Sequence, residues 1–133
     1  MILRVLAIAL IALVTVEAIS QRMIEHKIHR SILNHKVMVF SKTYCPYSKR
    51  LKHMLEKYDI ADKQILELDL QRPEYRPIIQ DYLKTLTGRR TVPQLFINGI
   101  FVGGSDDTIE MDRKGQFKKI LLDAGALYEE ERK

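Results

Sequence analysis

The stretch Val37-Met38-Val39-Phe40, followed after four intervening residues by Cys45-Pro46, constrains this fold more than any other feature. Four bulky apolar residues in succession, two of them β-branched, read as a short buried strand. Proline suits the first position of a helix, where its fixed φ helps and its missing N–H costs nothing. The chain therefore runs from a buried strand into a helix whose first residue is Pro46, and Cys45 falls on the N-cap.

A cysteine there is chemically loaded. Unpaired backbone N–H groups, the positive end of the helix dipole and a cation at Lys42 all favour its thiolate. The thiolate is the form that attacks disulfides. The plainer alternative is a buried inert cysteine, and the charged neighbours of Cys45 argue against it. Cys45 is the one cysteine among 133 residues, which excludes an intrachain disulfide framework and a Cys-rich zinc site. Ser48 occupies the place that would complete a C-x-x-C pair. A lone thiol cannot close a disulfide within its own chain, so it must pass its mixed disulfide to another thiol, for which glutathione is the natural candidate.

Around this junction the hydrophobic pattern predicts the other elements. Ile24, Ile28 and Ile32 recur at helical spacing over 21–35. Strand 37–41 and a helix from Pro46 to about Tyr58 follow, with Leu51, Met54 and Leu55 on its inner face. Ile65, Leu66, Leu68 and Leu70 mark a strand near 64–69. A helix starts near Glu74, tolerates Pro77 in its first turn and stops at Gly88. Gln94–Ile97, Asn98-Gly99 and Ile100–Val102 predict a hairpin, since Asn-Gly fits a type I′ turn. Ser105, Asp106 and Asp107 follow Gly103-Gly104 and suit the start of another helix, with a last one over roughly 115–124. The order implies a mixed sheet, its first two strands parallel through a right-handed crossover and its hairpin antiparallel, with helices on both faces.

Residues 1–20 differ from the rest. Arg4 precedes the apolar run Val5–Val14, and Val16-x-Ala18 supplies small residues beyond it, the pattern of a secretory signal peptide. The run is short for a membrane span and Glu17 limits it, although an uncleaved signal anchor stays open. The division expected is a signal peptide or anchor over 1–20 and one domain over 21–133. The expected location is the secretory pathway, lumenal, soluble after cleavage or anchored. The formal charge of +5 is spread among acids without a dense basic run, so nucleic acid is not an expected partner. The four histidines show no metal-like spacing with the cysteine.

Three motifs in this order resemble the glutaredoxin family: Lys42-Thr43-Tyr44-Cys45-Pro46-Tyr47-Ser48, Thr91-Val92-Pro93 and Gly103-Gly104-Ser105-Asp106-Asp107. A fourth, Ile79–Leu83 leading to Thr87-Gly88, is similar to the family's middle helix. The resemblance covers about residues 22–127. It implies an α/β, thioredoxin-like fold with a four-stranded mixed sheet flanked by helices, plus an extra N-terminal helix. It implies a glutathione-dependent thiol-disulfide oxidoreductase acting on glutathionylated proteins, with Cys45 as nucleophile.

By the same resemblance Lys42 and Gln80 hold the glycyl carboxylate of glutathione and Tyr47 lines the groove. Thr91 and Val92 lead into a cis Pro93, where the Val92 backbone meets the cysteinyl part. Ser105, Asp106 and Asp107 meet the γ-glutamyl end. Ser48 departs from the dithiol members, and the Cys-Gly-Phe-Ser signature of the iron–sulfur monothiol class is absent. An alternative use of Cys45 remains: two chains and two glutathiones sharing a [2Fe–2S] cluster, which would make the protein a homodimer rather than the expected monomer. Pro46 and Tyr47 crowd that arrangement.

Overall fold

The computed structural model describes residues 1–128; residues 129–133, the end of the expected domain, lie outside the described residues. The chain forms α1 (Ile2–Asn34), β1 (Val37–Ser41), α2 (Pro46–Leu55), β2 (Lys63–Glu67), a 3₁₀ turn at Leu68–Leu70, α3 (Arg76–Thr87), β3 (Gln94–Ile97), β4 (Ile100–Gly103), α4 (Ser105–Arg113) and α5 (Gln116–Asp123). The sheet order is β2-β1-β3-β4. β1 and β2 pair in parallel, Val39 opposite Ile65, and β1 and β3 pair antiparallel, Met38 opposite Phe96. This is the thioredoxin-like α/β fold with an extra N-terminal helix.

Each face of the sheet is covered, which explains the unbroken apolar run of β1. Val37 and Val39 point into a core with Leu51, Leu55, Phe117 and Leu121 from α2 and α5. Met38 and Phe40 point the other way, into a core with Ile28, Ile32, Ile79 and Leu83 from α1 and α3. Alternation by twos is present but hidden, because both sides of the strand are dry.

Element ends differ from the pattern-based reading by a few residues, each for a local reason. α2 stops at Leu55 because the next amides bond three residues back, Lys57 N to Met54 O and Tyr58 N to Leu55 O, both 3.2 Å. The second strand ends at Glu67, not 69, since Leu68–Leu70 coil into a 3₁₀ turn closed by Gln71 N to Leu68 O at 3.0 Å. α3 begins at Arg76, two residues late, after a turn closed by Tyr75 N to Arg72 O at 2.9 Å. The larger difference is in α1. The apolar N-terminal segment and the amphipathic stretch after it form one helix of 33 residues. No glycine or proline occurs before residue 88 except Pro46, Pro73 and Pro77, so nothing in 1–34 interrupts it.

Candidate functional site

β1 and its loop deliver Cys45 to the start of α2. Cys45 is the N-cap, with extended backbone (φ −78°, ψ 122°), and its carbonyl accepts the Lys49 amide at 3.0 Å. Its own amide donates to the Lys42 carbonyl at 3.2 Å, which folds the loop back on itself. Thr43 ties that loop to the 3₁₀ turn after β2: its amide donates to Asp69 at 2.9 Å and its hydroxyl donates to the same carboxylate.

The thiol is half-buried. Burial pushes its pKa up, but hydrogen bonds from the Ser48 amide and hydroxyl and the Tyr47 amide, with the charge of Lys42, outweigh it and hold the pKa below that of an ordinary cysteine. These are the helix-start donors expected of a reactive thiol. Ser48 is fully buried, and its oxygen also accepts the Lys42 amide at 3.3 Å.

A second wall comes from the loop between α3 and β3. Gly88 closes α3 in the left-handed conformation (φ 78°) that a glycine adopts without strain. Buried Gln94 then staples the loop from below, its amide donating to Arg89 O at 2.6 Å and to Thr91 O at 3.0 Å. The Thr87 hydroxyl donates to the Gln94 carbonyl oxygen at 3.0 Å. The Val92–Pro93 bond is cis.

The third wall is the β4–α4 junction. Gly103 has φ 145°, and a Cβ there would stand 2.7 Å from Asp107 Cβ. Gly104 is the N-cap of α4, with its amide donating to the Asp107 carboxylate at 3.2 Å. Arg89 reaches across from the loop to the same carboxylate at 3.0 Å. The Gly104 amide and the Arg89 guanidinium together hold the Asp107 pKa below the usual carboxylate range.

These walls enclose a groove of about 470 Å³ lined by Tyr47, Arg89, Thr91, Val92, Pro93, Gly104, Ser105, Asp106 and Asp107. Seven of the residues singled out from sequence meet there. Cys45 stands two residues before Tyr47, and Lys42 is close enough for its charge to act on the thiol. Gln80 is not among the lining residues. It lies on α3, where its amide donates to the Arg90 carbonyl at 3.4 Å. The pattern-based reading missed Arg89, whose partner lies 18 residues away and so leaves no local signal.

Ser105 is buried, and its hydroxyl oxygen has no hydrogen-bond partner among the described residues, which leaves it available at the groove wall. A pocket of about 500 Å³ between β4 and α5 is mostly apolar and remote from Cys45. Among the described residues no group of three or more His, Cys, Asp or Glu is placed to hold a metal ion.

The glutaredoxin family model matches residues 37–102, the segment that carries Cys45 and the cis proline. An uncharacterized monothiol glutaredoxin of Caenorhabditis elegans is 44% identical over 137 residues, covering 95% of this chain and 92% of that one. A monothiol glutaredoxin of rice, Oryza sativa subsp. japonica, is 46% identical over 95 residues, covering 71% of this chain and 70% of the relative. The crystal structure of a buckwheat glutaredoxin–glutathione complex superposes with a TM-score of 0.73 at 34% identity, covering 81% of this chain and 96% of that one. The chain belongs to the glutaredoxin family.

Proposed function

We propose that this protein removes glutathione from protein–glutathione mixed disulfides through Cys45 alone. One observation carries the reading: the Cys45 thiol, its pKa lowered at the start of α2, lies beside a groove that ends on the start of α4, while Ser48 stands where a second thiol would resolve it. In the first step the Cys45 thiolate attacks the glutathione sulfur of the mixed disulfide. That S–S bond breaks, a Cys45–glutathione disulfide forms, and the protein leaves as a thiolate that takes a proton from water. In the second step the thiolate of another glutathione attacks the sulfur of the bound glutathione. Glutathione disulfide leaves and Cys45 returns as a thiolate, so the incoming glutathione thiolate supplies the electron pair and the glutathionyl group taken from the protein leaves as the other half of the disulfide.

The groove orients this exchange by holding both ends of the tripeptide, which directs attack to the glutathione sulfur rather than the protein sulfur. Lys42 and Gln80 take the glycyl carboxylate, with Tyr47 as a wall. Thr91, Val92 and Pro93 flank the cysteinyl part. At the other end the α4 amides and the unpartnered Ser105 hydroxyl face the γ-glutamyl carboxylate, and Asp106 and Asp107 face its ammonium. Arg89 adds a positive charge there that holds Asp107 in place.

A [2Fe–2S] cluster needs four sulfur ligands, and this chain has one cysteine. One copy therefore does not hold such a group; a second copy and two glutathione thiolates would have to complete it. The apolar half of α1 then serves as a signal or anchor that directs the protein into the secretory pathway.

The test is glutathione-coupled reduction of a glutathionylated protein by the full chain in detergent, compared with Cys45→Ser. Turnover lost in the variant, with an unchanged circular dichroism spectrum, supports the reading. Substantial residual turnover removes Cys45 as nucleophile. Visible absorbance of an anaerobically purified sample would instead favour the cluster.

A further inference from the structure

Resting on that reading, we infer that α1 holds the protein on a bilayer with the Cys45 end of the domain facing the lipid surface, so that its preferred substrates are glutathionylated cysteines lying just outside the membrane. The direction of α1 carries the argument. A two-residue turn, His35-Lys36, joins it to β1, so the helix runs back along the sheet against the direction of that strand. Its C-terminal end sits at the foot of β1. His35 Nδ1 lies 2.7 Å from Asp62 Oδ1, just before β2, and Leu33 Cδ2 lies 3.1 Å from where a Cβ of hairpin residue Gly99 would be.

The packed stretch of the helix starts at Ile24, which lies against the core that holds Ile28 and Ile32. Eleven residues from Ile24 to Asn34 rise about 16 Å, and the five residues of β1 rise about the same. Ile24 is therefore level with the far end of β1, where the chain turns to Cys45. Beyond it α1 continues without a break into residues 2–19.

The occupant of that exposed half is set by composition. An 18-residue window of α1 has mean hydropathy 2.5 and is 0% buried. Because α1 continues unbroken on both sides of Val5–Val14, this window, unlike that run alone, reaches the lower limit for crossing a hydrocarbon core. Its charged side chains, Arg4 and Glu17, lie toward its two ends, and Thr15 is its other polar side chain, its hydroxyl already satisfied by Ile11 O at 2.8 Å. Apart from Thr15 and Glu17 the helix stays apolar from Val5 to Ile19, followed by Ser20, Gln21 and Arg22. Three residues lie between Ser20 and Ile24, so the helix rises about 6 Å from one to the other. With α1 along the membrane normal, Cys45 sits on the order of 10 Å from the bilayer surface. The same end of the domain exposes Tyr44 (65%) and Leu70 (73%), side chains suited to an interface.

Two measurements on the full chain in lipid nanodiscs test this. Because Cys45 is the sole cysteine, a fluorescent donor attached there reports its distance from acceptor-labelled headgroups. Strong energy transfer is expected, falling sharply when an 18-residue helical insert between Ser20 and Gln21 lifts the domain by about 27 Å while keeping its facing. The second measurement compares transmembrane peptides glutathionylated close to the bilayer or far from it. The near cysteine should be reduced at least about tenfold faster, a bias the insert abolishes.

Weak transfer in the unmodified chain, failure to remain with the nanodiscs, or equal near and far rates overturns the inference. The glutathione–mercaptoethanol mixed disulfide, soluble and small, serves as the reference substrate. Its turnover in the same sample shows a folded enzyme, so a missing bias then counts against the orientation alone. No turnover of that substrate counts against the catalytic reading, while energy transfer still reports the orientation.

Discussion

Ser48 donates its hydroxyl hydrogen to the Cys45 sulfur, and the same oxygen accepts the Lys42 amide hydrogen at 3.3 Å. The residue that cannot serve as a second thiol thus stabilises the first as an anion. Ser48→Ala should raise the midpoint of Cys45 alkylation by iodoacetamide and slow glutathione-dependent turnover severalfold. Ser48→Cys should form an intramolecular disulfide with Cys45 under mild oxidation, visible as one lost free thiol equivalent in the intact mass of alkylated protein. Absence of that disulfide would contradict the placement of residue 48 against the sulfur.

Lys42 acts on the same sulfur through its charge. The fraction of Cys45 present as thiolate grows as pH rises through its pKa, and that pKa is lowered. Alkylation should therefore have its midpoint below the free-thiol value of about 8.5. Lys42→Ala should move the midpoint upward and raise KM for the glutathionylated substrate. Lys49→Ala, one turn into α2 and outside the groove, should shift the midpoint less. Equal shifts in the two variants would show that general surface charge, rather than the Lys42 position, sets the thiol.

The order of elements and the two-faced sheet were legible because they depend on local signals: the apolar run before Cys45, Pro46 at a helix start, Gly88 after α3 and Asn98-Gly99 between two strands. What stayed hidden depends on distant partners. Nothing near Arg89 announces Asp107, and nothing near Thr43 announces Asp69, 26 residues on. Gln94 read as a strand residue, yet it is buried and holds the loop that carries Arg89 and Thr91. The continuity of α1 over Ile2–Asn34 was not legible either, because the change from apolar to amphipathic composition near residue 20 carries no signal of whether the backbone helix continues through it.

Gly103 ties the groove to the backbone. Its φ of 145° is poorly tolerated by residues with a Cβ, and the added carbon would sit 2.7 Å from Asp107 Cβ and 2.8 Å from Asp107 Oδ2. Gly103→Ala should destabilise the domain by on the order of 1–3 kcal/mol through strain and crowding. It should also raise KM more than it lowers kcat, because Asp107 would leave the Gly104 amide and Arg89. A variant with unaltered stability and KM would show that the junction tolerates a side chain there.

The packed half of α1 is part of the domain. Ile32 is 3% exposed in the core shared with Phe40, Ile79 and Leu83, whereas Leu13 on the same helix is 56% exposed. Ile32→Ala removes buried methyl groups and leaves a cavity, so it should cost about 3 kcal/mol by chemical denaturation of the detergent-solubilised chain. Leu13→Ala should cost less than about 0.5 kcal/mol in the same measurement, since that side chain makes no core contact. If both substitutions left stability unchanged, α1 would be an appendage along its whole length, and the domain's edge would have to be redrawn at β1.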